Sequence, residues 1–158
     1  MIIQTTNLQE IRNLIQKTKK QTPEEKIIVR ADDEEFNRKV LEIKGVNILL
    51  SPELHYRKDK LKQRDSGLNE FLCRLATKNN ISIAIDIEKL KKLNKRDKSK
   101  TIARIIQNIA LCKKTKTQII LWPEDKYSKL DILSFITTLK GSTNQGKNKN
   151  PITPEKPL

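Results

Sequence analysis

Apolar residues recur along this chain in two rhythms that take turns. The first is helical: Leu8, Ile11, Leu14 and Ile15 lie three and four apart behind Asn7, a favoured helix cap, and Pro23 breaks the run. A short strand over 2–5 precedes it. Residues 26–30 (Ile27, Ile28, Val29) read as a strand. Next comes a helix carrying Phe36, Val40 and Ile43, capped by Asp32 or Asp33 and ended near Gly45. Residues 46–51 are the next strand, stopped by Pro52. A helix from Gly67 has the stripe Leu68, Phe71, Leu72, Leu75 and Ala76, with Asp65 or Ser66 as the expected cap. Residues 81–87 alternate without a break: four isoleucines on one face, Ser82, Ala84 and Asp86 on the other. A charged loop over 89–100 leads into a helix with Ile102, Ile105, Ile106, Ile109 and Cys112. Residues 118–122 form a strand stopped by Pro123, and Leu130, Ile132, Leu133, Ile136 and Leu139 mark a last helix ending at Gly141.

Strand and helix alternating in this way predict parallel strands joined by right-handed crossovers. An open doubly wound sheet and a (β/α) barrel both fit the periodicity. The chain length predicts one α/β domain, residues 1–141. Residues 142–158, rich in Asn, Gly, Lys, Pro and Thr, have too little apolar area to bury and are expected to be a disordered basic tail. No signal peptide pattern opens the chain and no apolar run reaches the length of a membrane span, which predicts a cytoplasmic protein without a membrane partner.

Charge changes the picture. The chain carries 33 basic and 19 acidic residues, a net of +14, so a polyanion is the expected partner. The excess is clustered. Residues 57–64 hold Arg57, Lys58, Lys60, Lys62 and Arg64 against Asp59; residues 89–100 hold Lys89, Lys91, Lys92, Lys95, Arg96, Lys98 and Lys100 against Asp97. Both segments follow strands, and in a βα architecture loops after strand C-termini gather on one functional face. Lys126 and Lys129 follow the Trp122 strand toward the same side. One Trp, two Tyr and three Phe leave few platforms for stacking successive bases. This favours a partner gripped by its phosphates and helix shape.

Between the first basic segment and its helix lies Arg64-Asp65-Ser66-Gly67-Leu68-Asn69. A helix start offers free N–H groups and a partial positive charge to an anion, and Gly67 lets a phosphate approach closely. Ser66 and Gly67 therefore join the basic residues as candidates for binding a phosphate. The plainer alternative is that Asp65 or Ser66 only caps the helix.

Enzymatic chemistry finds little to work with. His55 is the single histidine and sits in a loop, and Asp86 is one carboxylate at a strand end, so the ligand cluster of a metal phosphoesterase is missing. Asp86 is expected to pair with a buried hydroxyl or an arginine. No P-loop, GxSxG or nucleophile with a candidate base is present. Cys73, off its helix stripe, and Cys112, on its stripe, form no zinc or CxxC pattern and read as reduced thiols. No catalytic residue and no metal site are assigned.

Two segments carry a resemblance: RDSGLNEFLCRLATKNNISIAIDI (64–87) and RIIQNIALCKKTKTQIIL (104–121). Together they resemble archaeal ribonuclease P protein component 3, the counterpart of the thirty-kilodalton subunit of the eukaryotic enzyme. The likeness runs from about Ile27 to Gly141 and is best at 64–69 and 104–114. It implies a TIM-like barrel related to the polymerase-and-histidinol-phosphatase barrels. Because much of the family's N-terminal portion has no counterpart here, a partial or distorted barrel of four or five strands is expected. The resemblance further implies an RNA-binding subunit supporting RNA-catalysed removal of the 5′ leader from precursor tRNA. Mg2+ would then sit on the RNA and no cofactor on this chain. The implied partners are ribonuclease P RNA, precursor tRNA and another small protein subunit. The segment Pro123-Glu124-Asp125-Lys126-Tyr127 departs from the family pattern. The competing readings are a diverged barrel phosphohydrolase acting on nucleic acid, and a generic RNA chaperone or ribosome-associated factor.

Overall fold

The computed structural model describes residues 1–59 and 61–146. Five strands, β1 (Ile2–Ile3), β2 (Ile28–Arg30), β3 (Ile48–Leu50), β4 (Ser82–Asp86) and β5 (Ile119–Trp122), form one parallel sheet in the order β1-β2-β3-β4-β5. That order separates the two folds left open by periodicity. A doubly wound sheet reverses direction at a switch point. Here each strand pairs with its predecessor throughout. With right-handed crossovers, sequential order puts every helix on one side of the sheet, which is the geometry of part of a barrel.

The helices are α1 (Leu8–Gln21), α2 (Glu34–Leu41), α3 (Glu70–Lys78), α4 (Ile87–Lys92), α5 (Lys95–Thr115) and α6 (Lys129–Thr138). They pack on the outward face of the sheet. Ile3, Val29, Leu49, Ile83, Ile85, Ile119 and Leu121 point into that main core together with Ile11, Leu41, Leu72, Ile105 and Ile136. The alternate residues Ile28, Ile48, Leu50, Ala84 and Ile120 form a second, smaller cluster on the inner face, with Trp122 against it. The strict alternation of residues 81–87 is thereby explained: Ile81, Ile83, Ile85 and Ile87 serve the helical layer, while Ala84 and Asp86 line the inside. Ile48-Leu49-Leu50 shows no alternation because it is covered on both faces.

Three expectations are corrected. Helix α3 does not begin at Gly67: it begins at Glu70, and its cap is Asn69, whose Oδ1 accepts from Leu72 N–H at 2.8 Å. Residues 89–100 are not a loop. They comprise most of α4 and the first turns of α5, which starts seven residues before Ile102 because Asn94 caps it (2.9–3.0 Å contacts are typical; here Oδ1 accepts from Asp97 N–H at 3.0 Å). Exposed helical turns have no apolar stripe, so periodicity is blind to them. Cys73 is fully buried, its Sγ 4.0 Å from that of Cys112.

Ser142–Gly146, the start of the expected tail, packs on α6: Thr143–Gly146 is a 3-10 turn and Gly146 is buried against Leu133. The rest of that segment, 147–158, lies outside the described residues. No helix among the described residues is long and apolar enough to cross a membrane.

Candidate nucleic-acid interface

The segment leaving β3 turns away at Ser51, which takes the left-handed conformation (φ 55°) and whose hydroxyl accepts the Asp86 N–H at 3.1 Å. Residues 52–69 then cross the C-terminal ends of the strands and reach α3. Three residues on one face of α5 hold this loop. Arg104, 5 % exposed, donates from Nη1 to the carbonyls of Glu53 (3.4 Å) and His55 (3.0 Å), from Nη2 to the Arg57 carbonyl (2.9 Å), and from Nε and Nη2 to Asp59 Oδ1 (3.1 and 3.0 Å). Gln107 donates to the Arg64 carbonyl at 3.2 Å and Asn108 to the Ser66 carbonyl at 3.0 Å. From α2, the buried Asn37 donates to the Gly67 carbonyl at 3.2 Å. The loop is thus shaped by side-chain donors aimed at its backbone, and a guanidinium fork suits that task because it offers five N–H groups in one plane.

Internal ion pairs complete it. Arg57 Nε donates to Asp65 Oδ2 at 2.9 Å, and His55 Nε2 lies 2.8 Å from the Asp65 carbonyl. Burial pushes the His55 pKa down, and the Arg104 and Arg57 charges push the same way, so the ring is neutral at pH 7. Burial works against the Asp65 carboxylate, but its bond from Arg57 holds it below the usual range.

Ser66 and Gly67 are buried, and the Gly67 N–H donates to Asp65 Oδ1 at 3.1 Å. The expected phosphate cradle is therefore a packed turn. Gly67 is required for another reason: its φ is +75°, and a Cβ there would lie 2.1 Å from the Pro52 carbonyl oxygen. The described residues of the loop that are exposed are Tyr56, Lys58, Asp59, Leu61, Lys62, Gln63 and Arg64. Arg64 pairs with neither Asp65 nor Asp86, whose partners are Arg57 and Arg30. Lys60 lies outside the described residues.

The second basic segment is presented differently. Lys89, Lys92, Lys95, Arg96 and Lys100 are exposed on α4 and the first turns of α5. Lys91 is engaged by Glu88 (3.3 Å) and stacks on Tyr127 (5.6 Å to the ring centre); Lys98 Nζ donates to the Lys91 carbonyl at 3.0 Å. Lys126 lies 3.9 Å from Glu88, beside this group. Cations near a helix N-terminus oppose the macrodipole, and Asp97 is the one acid in the first turn of α5. This placement costs stability and gathers exposed cations on α4 and the start of α5. The two basic segments meet on α5, which carries one and grips the other.

Inside the strand ends, Asp86 accepts from Arg30 Nη2 at 3.2 Å and caps α4 through Lys89 N–H at 3.0 Å. Burial and the neighbouring Arg30 charge lower the Lys89 pKa. Glu53 is 1 % exposed and neither carboxylate oxygen has a hydrogen-bond partner; burial, with the Asp86 charge adding, raises its pKa to about 8. Among the described residues no group of three His, Cys, Asp or Glu is placed to hold a metal ion.

Sequence reasoning missed Arg104, Asn108, Asn37 and Glu53. A signal existed for the first two. Residues 101, 104, 105, 108, 109 and 112 form the buried stripe of α5, and Arg104 and Asn108 are the large polar members of it. A polar residue on an apolar stripe must find partners, and a neighbouring loop backbone is the usual supplier.

No protein-family model matches the chain. Among curated proteins it is similar to ribonuclease P protein component 3 of Methanococcus maripaludis strain C6, with 31% identity over 119 residues, 75% of this chain and 47% of that protein. The same protein of Methanococcus vannielii is 29% identical over 119 residues (75% and 48%), and that of Methanocaldococcus jannaschii 25% identical over 142 residues (87% and 57%). The chain therefore spans about half the length of these relatives. Among solved structures, a chain in the cryo-EM structure of archaeal ribonuclease P with mature tRNA superposes with a TM-score of 0.68 at 23% identity, covering 89% of this chain and 59% of that one. At that identity the likeness is one of fold.

Proposed function

Since this chain belongs to the archaeal ribonuclease P protein component 3 family, we propose that it is an RNA-binding protein subunit of ribonuclease P. In this reading it supports RNA-catalysed removal of the 5′ leader from precursor tRNA, together with the ribonuclease P RNA and another small protein subunit, and supplies no catalytic group itself. One observation carries the proposal: α5 displays Lys95, Arg96 and Lys100 on its first turns and, a turn further on, uses Arg104, Gln107 and Asn108 to fix the loop that displays Lys58, Lys62 and Arg64. Such a surface binds phosphates without reading base edges, and its affinity depends on counterion release. The alternative of an autonomous phosphohydrolase has less to stand on, because the Asp86 carboxylate is engaged by Arg30 and by the start of α4.

The test is a titration of ribonuclease P RNA with the purified chain across a salt series. Engagement of about six phosphates predicts a loss of roughly a thousandfold in affinity between about 50 and 200 mM salt, on the duplex DNA scale. Affinity that is flat with salt, or leader cleavage by the chain in the absence of RNA, removes the proposal.

A further inference from the structure

Tyr56 is 103 % exposed, the aromatic ring standing wholly in solvent. It is not on a loose loop tip. The carbonyls on either side of it, those of His55 and Arg57, are both held by the Arg104 guanidinium, at 3.0 and 2.9 Å. Its neighbouring side chains turn inward: His55 is 7 % exposed against Asp65, and Arg57 is tied to Asp65 at 2.9 Å. The side chains on either side are thus engaged with Asp65 while the ring between them is left in solvent. A ring held out by clamped backbone forgoes the gain of burial, and the backbone order it needs for binding is already in place. Lys58, Lys62 and Arg64 are exposed on the same loop.

We propose that Tyr56 is a stacking platform for one unpaired RNA base, with the cations of its own loop holding the phosphates beside that base. The proposal rests on the RNA-binding reading above and deepens it. A single platform accepts a single base, so the fitting partner is a structured RNA with an unpaired nucleotide in a bulge or internal loop, not a long single strand that stacks base after base. Leu61 is equally bare at 106 % exposed but offers no ring face.

The experiment compares two RNA hairpins of one sequence, one fully paired and one with a single-nucleotide bulge, bound to the full chain and to Tyr56→Ala, Tyr56→Phe and Leu61→Ala. Tyr56→Ala is expected to weaken binding of the bulged hairpin about tenfold, within the range of one stacked base, and to leave the paired hairpin unchanged. Tyr56→Phe keeps the ring and keeps the affinity. The salt slope of Tyr56→Ala matches the parent, since no phosphate contact is removed. Equal binding of the bulged hairpin by parent and Tyr56→Ala overturns the proposal. So does a loss in Tyr56→Phe as large as in Tyr56→Ala, or an equal loss in Leu61→Ala, which would mark a general apolar surface for a protein. If the parent binds neither hairpin, the RNA-binding reading falls with it, an outcome visible before any variant is made.

Discussion

Residues 57–64 and 89–100 look alike in sequence, each a dense run of Lys and Arg after a strand, yet they are different physical objects. The first is a loop with no shape of its own. Its course is set by donors from outside it, Arg104 above all, and Arg57 is consumed by an internal pair with Asp65. The second is helix, whose backbone bonds are satisfied within it and whose cations are displayed at a cost to the start of α5. A charge run can thus be held rigid by its neighbours or by its own secondary structure. Only in the first case does shape depend on side chains from other elements, Arg104 making the most bonds among them.

Arg104→Ala tests that dependence most severely. It leaves three loop carbonyls without their donor, while the exposed Asp59 carboxylate keeps the Asp65 N–H, and a cost of about 3–5 kcal/mol is expected from the unpaired carbonyls, read as a fall in melting temperature. Arg104→Lys should restore little, because a point charge cannot serve several acceptors in one plane. A near-normal melting temperature for either variant would mean that the loop holds itself.

Glu53 sharpens the comparison through pH. Its folded pKa, about 8, lies above its ordinary value of 4.5, so the folded state holds a proton that the unfolded chain has lost. The stability this contributes is complete below about pH 4.5 and is lost as pH rises through 8. The slope between is about 1 kcal/mol per pH unit, and Glu53→Gln should remove it. Melting curves at pH 5, 7 and 9 decide the matter: parallel trends in parent and variant would show that Glu53 is ionised throughout.

The smallest effect belongs to the helical segment. Lys95→Gln should leave stability unchanged or raise it by roughly 0.3–1 kcal/mol, since a cation leaves the positive end of α5, while the slope of log affinity against log salt falls by about one. Destabilisation by this change would place Lys95 in a structural role and blur the contrast between the segments.

How far the sequence reveals this arrangement depends on what each element buries. Strand β4 and the cap Asn7 are legible, and the cap of α2 is narrowed to Asp32 or Asp33, because each is decided by residues next to one another. The single sheet of parallel strands followed from their alternation with helices. Strand order did not, because it is settled by which faces meet in space. Within the candidate site the basic residues could be counted in advance, and of the two partners expected for Asp86, a buried hydroxyl or an arginine, its carboxylate takes the arginine, Arg30. For Arg64–Asn69 the sequence left a phosphate cradle and a cap at Asp65 or Ser66 both open, and the structure gives the cap to Asn69. Gly67 next to a helix looks the same whether it admits a phosphate or the Pro52 carbonyl, and the difference lies in a residue fifteen positions away. The clamp on the loop was invisible for the same reason: Arg104 and the Glu53 carbonyl are separated by 51 residues.

That separation also has a consequence for how the molecule is made. Each new strand pairs with the one made just before it, so the sheet can grow in step with synthesis, with the pairing of Ile28 to Ile48 available as soon as β3 emerges. The loop after β3 has no such luck. Its organising guanidinium emerges 51 residues later than the Glu53 carbonyl it holds, a delay of roughly three to ten seconds at ordinary rates of translation. The basic loop can therefore take its shape only once α5 has emerged, later than strands β1 to β4 that precede Arg104, and until then its lysines and arginines travel as an unstructured basic segment on the ribosome.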